Sequence, residues 1–145
     1  ARHNDRRYAM TANSITSVST DPLLVLVTFM HESDTGKAVS QSGLFGLSVL
    51  DTKYGHTVAR HCAGKHDQQE SADQLTGLFT HEGPHGIPLI NGSLECLTCV
   101  VTQIHAVGDH DVVFGHATRV PECEATGDPL VFYKGQFCQL DQPVD

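Results

Sequence analysis

No apolar run in this chain approaches the roughly 20 residues that a membrane-spanning helix needs, so a transmembrane helix is not expected. The opening ARHNDRRY has no apolar core of the kind a signal peptide carries. Neither GxGxxG nor GxxxxGK[ST] occurs, which leaves a Rossmann or P-loop nucleotide site unsupported. No GxSxG elbow frames Ser17 for hydrolysis. Basic residues are scarce, 9 against 17 acidic ones, for a formal net charge of −8. That balance argues against nucleic acid or an anionic membrane as partner. A phosphorylated cofactor can still be held locally by backbone amides. No repeat, low-complexity tract or Pro/Ser-rich linker interrupts the 145 residues. One domain, 1–145, is expected, long enough to bury about 70% of its unfolded surface.

Cysteine is too sparse for a disulfide scaffold, and the five thiols (Cys62, Cys96, Cys99, Cys123, Cys138) are odd in number. They read as reduced thiols in a cytoplasmic protein. Cys96 and Cys99 form a CxxC, but inside LECLTCVVTQI, a predicted strand. Residues three apart on a strand face opposite sides, so both thiolates cannot readily meet one metal. No second CxxC or closely spaced His pair completes a ligand set, and no metal is expected.

What the chain does have is concentrated between Met10 and Val27. Thr11, Ala12, Asn13, Ser14, Thr16, Ser17, Ser19 and Thr20 are small and mostly hydroxylated, and Asp21-Pro22 then turns into the apolar run Leu23–Val27. The run is short and bounded by proline, so it reads as a buried strand. Small side chains ahead of it let backbone amides approach a flat ligand. Strands are predicted at 7–13, 22–30, 44–50, 94–107, 111–120 and 130–139. Helices are predicted from Thr35 to Ser42, closed by Gly43, and from Thr52 to Ala63, closed by Gly64, with a short third helix near Ala72–Leu78. GPHGIP at 83–88 is turn chemistry, and 107–111 reads as a hairpin tip. The fold class is mainly β: a closed antiparallel barrel with two or three short helices.

His31-Glu32-Ser33-Asp34-Thr35-Gly36-Lys37 follows the buried strand and opens a helix. A helix start offers unpaired amides and partial positive charge to a phosphate. Ser33 and Thr35 can add hydroxyls and Lys37 charge, with Glu32 and Asp34 pointing away. The plainer reading is an ordinary N-cap with no ligand. Beside the hydroxyl-rich Thr11–Ser19 segment, the ligand reading gains: a flavin mononucleotide needs hydrogen bonds along its pyrimidine edge, a flat wall and a distant phosphate anchor.

Six segments in chain order then carry a family resemblance. They are MTANSITSVSTDPLLVLV at 10–27; Ser33-Asp34-Thr35, an S-x-T element; GLFGLSVL at 43–50; GIPLINGSLEC at 86–96; Gly108-Asp109-His110; and PLVFYKGQF at 129–137. Together they resemble the flavin reductase-like, FMN-binding split β-barrel family. Members usually carry a helix and a first strand before the small-residue segment, and this chain starts partway into that region. HNDRRY at 3–8 looks like the turn and second strand of the expected hairpin.

The resemblance implies an antiparallel, Greek-key-like split barrel acting as a homodimeric NAD(P)H:flavin oxidoreductase. In that reading hydride passes from NADH or NADPH to N5 of FMN, with FAD as an alternative. Reduced flavin then goes to a transient partner monooxygenase. Thr11, Ala12, Asn13, Ser14, Ser17 and Val18 would hold the flavin ring, Ser33 and Thr35 its phosphate, and His110 the dinucleotide. The bland reading of His110 is a polar residue at an exposed tip. Asp109 reads as a turn brace, and His61, His66, His81, His85, His105 and His116 receive no role. An electron-transfer flavoprotein, a reductase of another acceptor and a non-catalytic split-barrel binder are the alternatives.

Overall fold

The structure, a computed structural model, describes residues 1–64, 73–121 and 126–140. Its centre is a five-stranded antiparallel sheet ordered β3-β4-β9-β8-β5. These strands are Ile15–Thr20 (β3), Leu23–Met30 (β4), Leu44–Val49 (β5), Glu95–Val107 (β8) and His110–Arg119 (β9). Three two-stranded hairpins surround it: Arg2–His3 with Arg6–Arg7 (β1, β2), Thr80–Glu82 with Pro88–Ile90 (β6, β7), and Val131–Tyr133 with Gln136–Cys138 (β10, β11). Two α-helices, Asp34–Ser42 (α1) and Gly55–Ala63 (α2), and a single 3-10 turn over Pro84–Gly86 complete the elements of the described residues. The mainly-β antiparallel expectation holds.

Strand alternation builds the core. Val25, Val27 and Phe29 of β4 are buried while the residues between them are not, the period-2 pattern of a strand with one covered face. They meet Phe45, Cys99, Val113 and Ala117 from the neighbouring strands and Ala38 and Val39 from α1. A smaller cluster of Ile87, Leu89, Cys96 and Val120 lies under the β6–β7 hairpin. Cys96 and Cys99 thus belong to different clusters, as their spacing on one strand requires. Cys96 is disulfide-bonded, whereas Cys62, Cys99 and Cys138 are free thiols. The expectation of reduced thiols throughout is therefore corrected at Cys96.

Two glycines allow close packing. A Cβ at Gly36 would stand 2.7 Å from the Phe29 Cβ, so its absence lets α1 lie on β4. A Cβ at Gly115 would stand 2.6 Å from the Phe45 ring, which reaches β9 across Cys99 of the intervening strand.

Several boundaries differ from the sequence reading. The predicted strand at 7–13 is instead the end of β2 followed by irregular chain, and the strand proper begins at Ile15. Small hydroxylated residues carry little hydrophobic alternation, so the pattern could not locate it. The hairpin read at HNDRRY is present: Asn4 and Asp5 both take positive φ (49° and 58°) between β1 and β2, the backbone a two-residue turn demands. The strand at 130–139 breaks at Lys134-Gly135, again with positive φ at both. The helix expected near Ala72–Leu78 is a turn over 74–77, with Ala72 outside the described residues. The second helix starts at Gly55, because the Asp51 carboxylate accepts the amides of Tyr54 and Gly55 and makes a turn of the preceding residues. Gly43 closes α1 in the left-handed conformation, whereas Gly64 sits at φ −66° and uses none of glycine's freedom.

Candidate functional site

A cavity of about 530 Å³ opens beside the inner face of β4 and β5. Thr11, Ala12 and Asn13 contribute to its wall from the irregular chain before β3, Thr35 from α1 and Ser48 from β5. Phe29, Val39, Phe45 and Leu47 add an apolar surface. Val58 and Cys62 come from α2, and Phe132 and Phe137 from the last hairpin.

The segment Tyr8–Asn13 has no strand partner, so other groups fix it. Gln74, buried at 5% exposure, donates its backbone N–H to the Arg7 carbonyl at 3.1 Å and accepts the Ala9 amide on its side-chain oxygen at 2.9 Å. Its own carbonyl lies 2.9 Å from His61 Nε2. A carbonyl only accepts, so that nitrogen carries the proton. Arg7 bonds Asp73 at 2.6 Å and Thr80 at 2.8 Å. Burial would raise the Asp73 carboxyl, but the bonds from Arg7 and the Leu75 amide outweigh it and hold the group below its usual value. Gln74 and His61 were not foreseen as site residues. Nothing in their local sequence marks them.

At the start of α1, Ser33 is the N-cap: its Oγ accepts the Gly36 amide at 3.1 Å and lies 3.8 Å from the Met10 sulfur. The Lys37 amide makes the first helical bond, to the Ser33 carbonyl. The amides of Asp34 and Thr35 precede it and fall among the first-turn donors that a helix cannot satisfy itself. Thr35 is buried and lines the cavity, whereas Ser33 does not. Lys37 pairs with Glu32 at 2.9 Å on the exposed side, so its charge goes there. That bond holds the Glu32 carboxyl below its usual value.

The expected ring-binding stretch divides. Thr11, Ala12 and Asn13 face the cavity, while Ser14, Ser17 and Val18 lie outside its wall. Ser14 is exposed and bonds the Thr28 backbone. Ser17 pairs opposite Val25, and Val18 falls at a bulge in the β3–β4 register. His110 opens β9 opposite Met30, two residues from the tip glycine and outside the cavity wall. Its Nδ1 lies 2.7 Å from Asp109, whose carboxyl is lowered mainly by that bond. The His31 amide donates to the Asp109 carbonyl at 3.1 Å, and the His31 ring lies 3.3 Å from Asp111. These bonds bring the hairpin tip beside the chain leading into α1.

A family profile described as "Flavin reductase like domain" matches residues 1–141. The chain belongs to that family. It is 35% identical over 138 residues to an NADH-dependent flavin reductase of a Rhodococcus species, covering 94% of this chain and 72% of that protein. It is 33% identical over 128 residues to the flavin-dependent monooxygenase reductase subunit HsaB of Rhodococcus jostii, covering 88% and 62%. Among solved structures, BorF, the flavin reductase component of a bacterial two-component tryptophan halogenase, superposes with a TM-score of 0.81 at 32% identity. That match covers 97% of this chain and 87% of BorF. The fold is thus the split barrel of flavin reductases.

Proposed function

We propose that this protein is an NAD(P)H:flavin oxidoreductase that binds FMN, with FAD as an alternative, and supplies reduced flavin to a partner monooxygenase. The observation that carries this reading is one cavity shared by Thr11–Asn13 and by Thr35 at a helix start. The residues suit the ligand. First-turn amides of Asp34 and Thr35 and the Thr35 hydroxyl would hold the phosphate, and Thr11–Asn13 the hydrogen-bonding edge of the ring. Phe29, Val39 and Phe45 would wall off water. Ser33 would act by fixing the direction of the helix amides, and Ser14, Ser17 and Val18 by continuing the binding segment into β3.

Bound flavin supplies the hydride acceptor, its N5. Direct hydride transfer asks the chain for orientation rather than for an acid or base. His110, on the hairpin tip, would contact the nicotinamide dinucleotide. NADH is the donor this reading favours, in keeping with the relative named NADH-dependent, and dependence on it fits a cytoplasmic protein. No helix among the described residues is long and apolar enough to cross a membrane.

A homodimer is part of the same reading. The sheet face opposite the main core leaves Met30 at 56%, Val100 at 47% and Val107 at 59% exposure. Apolar surface of this kind marks interaction sites. One domain would span 1–145.

The test is NADH consumption in air with added FMN, FAD or no flavin. Turnover that saturates with flavin is expected. Tight flavin binding without turnover would overturn the reductase reading and leave a carrier.

A further inference from the structure

The last hairpin presents an aromatic pair that the proposed phosphate and pyrimidine contacts leave unused. Phe132 and Phe137 are direct cross-strand partners on β10 and β11, so both side chains lie on one face of the hairpin. Their ring centroids are 5.2 Å apart at an interplanar angle of 56°, and both rings line the cavity. Among the described residues the hairpin joins no other strand. Its anchors to the body are the Leu130 amide on the Leu50 carbonyl at 2.9 Å and the Thr52 amide on the Asp128 carbonyl at 3.0 Å, with an isolated bridge between Asp51 and Pro129. Phe132 remains about half exposed although it faces the cavity. A ring placed only to fill a core would be covered.

Leu130 and Val58 extend the same apolar wall. An isoalloxazine ring is polar along its pyrimidine edge and apolar along its dimethylbenzene edge. Thr11 and Asn13 offer hydroxyl and amide groups, whereas the residues that Leu130–Cys138 brings to the cavity, Leu130, Phe132 and Phe137, are all apolar. We infer that Phe132 and Phe137 receive the dimethylbenzene edge of the flavin and set selectivity for its two methyl groups. The inference rests on the flavin reading above and specifies which part of the ligand meets which wall.

The experiment compares FMN with an FMN analogue lacking the 7- and 8-methyl groups, titrated against the intact protein and Phe132→Ala. The wild type should bind FMN about tenfold more tightly, the worth of two buried methyl groups. Phe132→Ala should compress that ratio to about threefold or less, and Phe132→Leu, which keeps bulk, should fall between. Circular dichroism of each variant checks the fold, and Phe132→Leu stands in if the alanine variant does not fold. An unchanged ratio in a variant that still binds FMN overturns the inference while leaving the flavin site standing. A loss confined to FAD relative to FMN, with methyl selectivity intact, overturns it in favour of adenine stacking. Failure of the folded wild type to bind either flavin overturns the site reading and this inference with it.

Discussion

The hydroxyl of Thr11 donates to the Ala59 carbonyl of α2 at 2.6 Å. A hydroxyl has one proton and two lone pairs, so this bond turns Thr11 Oγ1 into an acceptor toward the cavity it lines. The hydroxyl can therefore receive an N–H from a ring edge but not give a proton to one. Thr11→Val keeps shape and removes the acceptor. Flavin affinity should fall by about fivefold, near 1 kcal/mol for one net hydrogen bond, while Thr11→Ser keeps most of it. Fluorescence titration reads both.

Ser33 and Thr35 should separate by the kind of loss they cause. Ser33→Ala removes a cap and should lower stability by about 1 kcal/mol in thermal or denaturant unfolding. Thr35→Ala should weaken FMN severalfold and leave riboflavin, which lacks the phosphate, nearly unchanged. Equal losses for FMN and riboflavin would remove Thr35 from the phosphate.

The Arg7–Asp73 pair makes the Tyr8–Asn13 segment acid-sensitive. The folded Asp73 carboxyl lies below its usual value. Its contribution is complete above the unfolded aspartate value of about 3.9 and is lost as pH falls through the lower folded value. Asp73→Asn should cut stability at neutral pH and flatten the decline below about pH 4. Melting temperatures between neutral and acid pH check the slope.

Thiol labelling should report the cavity. Burial pushes Cys62 up to about 11 and Cys99 up to about 12, so little thiolate exists at neutral pH. Cys138, only half-buried, should be alkylated before either. Cys62 lines the cavity and Cys99 does not. Saturating FMN should therefore slow Cys62 alone, as read by mass spectrometry of the labelled peptides.

His110→Ala should raise the KM for NADH severalfold and leave the flavin Kd unchanged, because the side chain stands outside the cavity wall. Steady-state kinetics with flavin titration separates the two quantities. A matching rise in flavin Kd would place His110 at the flavin instead.

The long strands were legible because apolar alternation is a local signal. Leu23–Met30, Glu95–Val107 and His110–Arg119 fall within a residue of their predicted bounds. The segment around Thr11 was visible as composition but not as geometry. Whether a threonine lies in a cavity or on an edge strand depends on Gln74, 65 residues from the Ala9 amide it accepts, and on Ala59, 48 residues from Thr11. Ser33 shows a related ambiguity. One S-x-T spacing serves an ordinary N-cap and a phosphate site alike, and only the bond to Gly36 shows how the first hydroxyl is engaged. Phe132 and Phe137 were read as parts of a strand motif. Their partnership appears once the turn at Lys134-Gly135 folds them together.

Phe45 carries a wider consequence. Phe45 lines the cavity, and the tip of its ring packs against the bare backbone of Gly115, so one side chain serves both the binding space and the packed interior. Evolution cannot adjust the two separately at this point. A drifting lineage that gains a side chain at position 115 must move the ring and reshape its ligand pocket. A lineage that reshapes the pocket through position 45 must refill the space over Gly115.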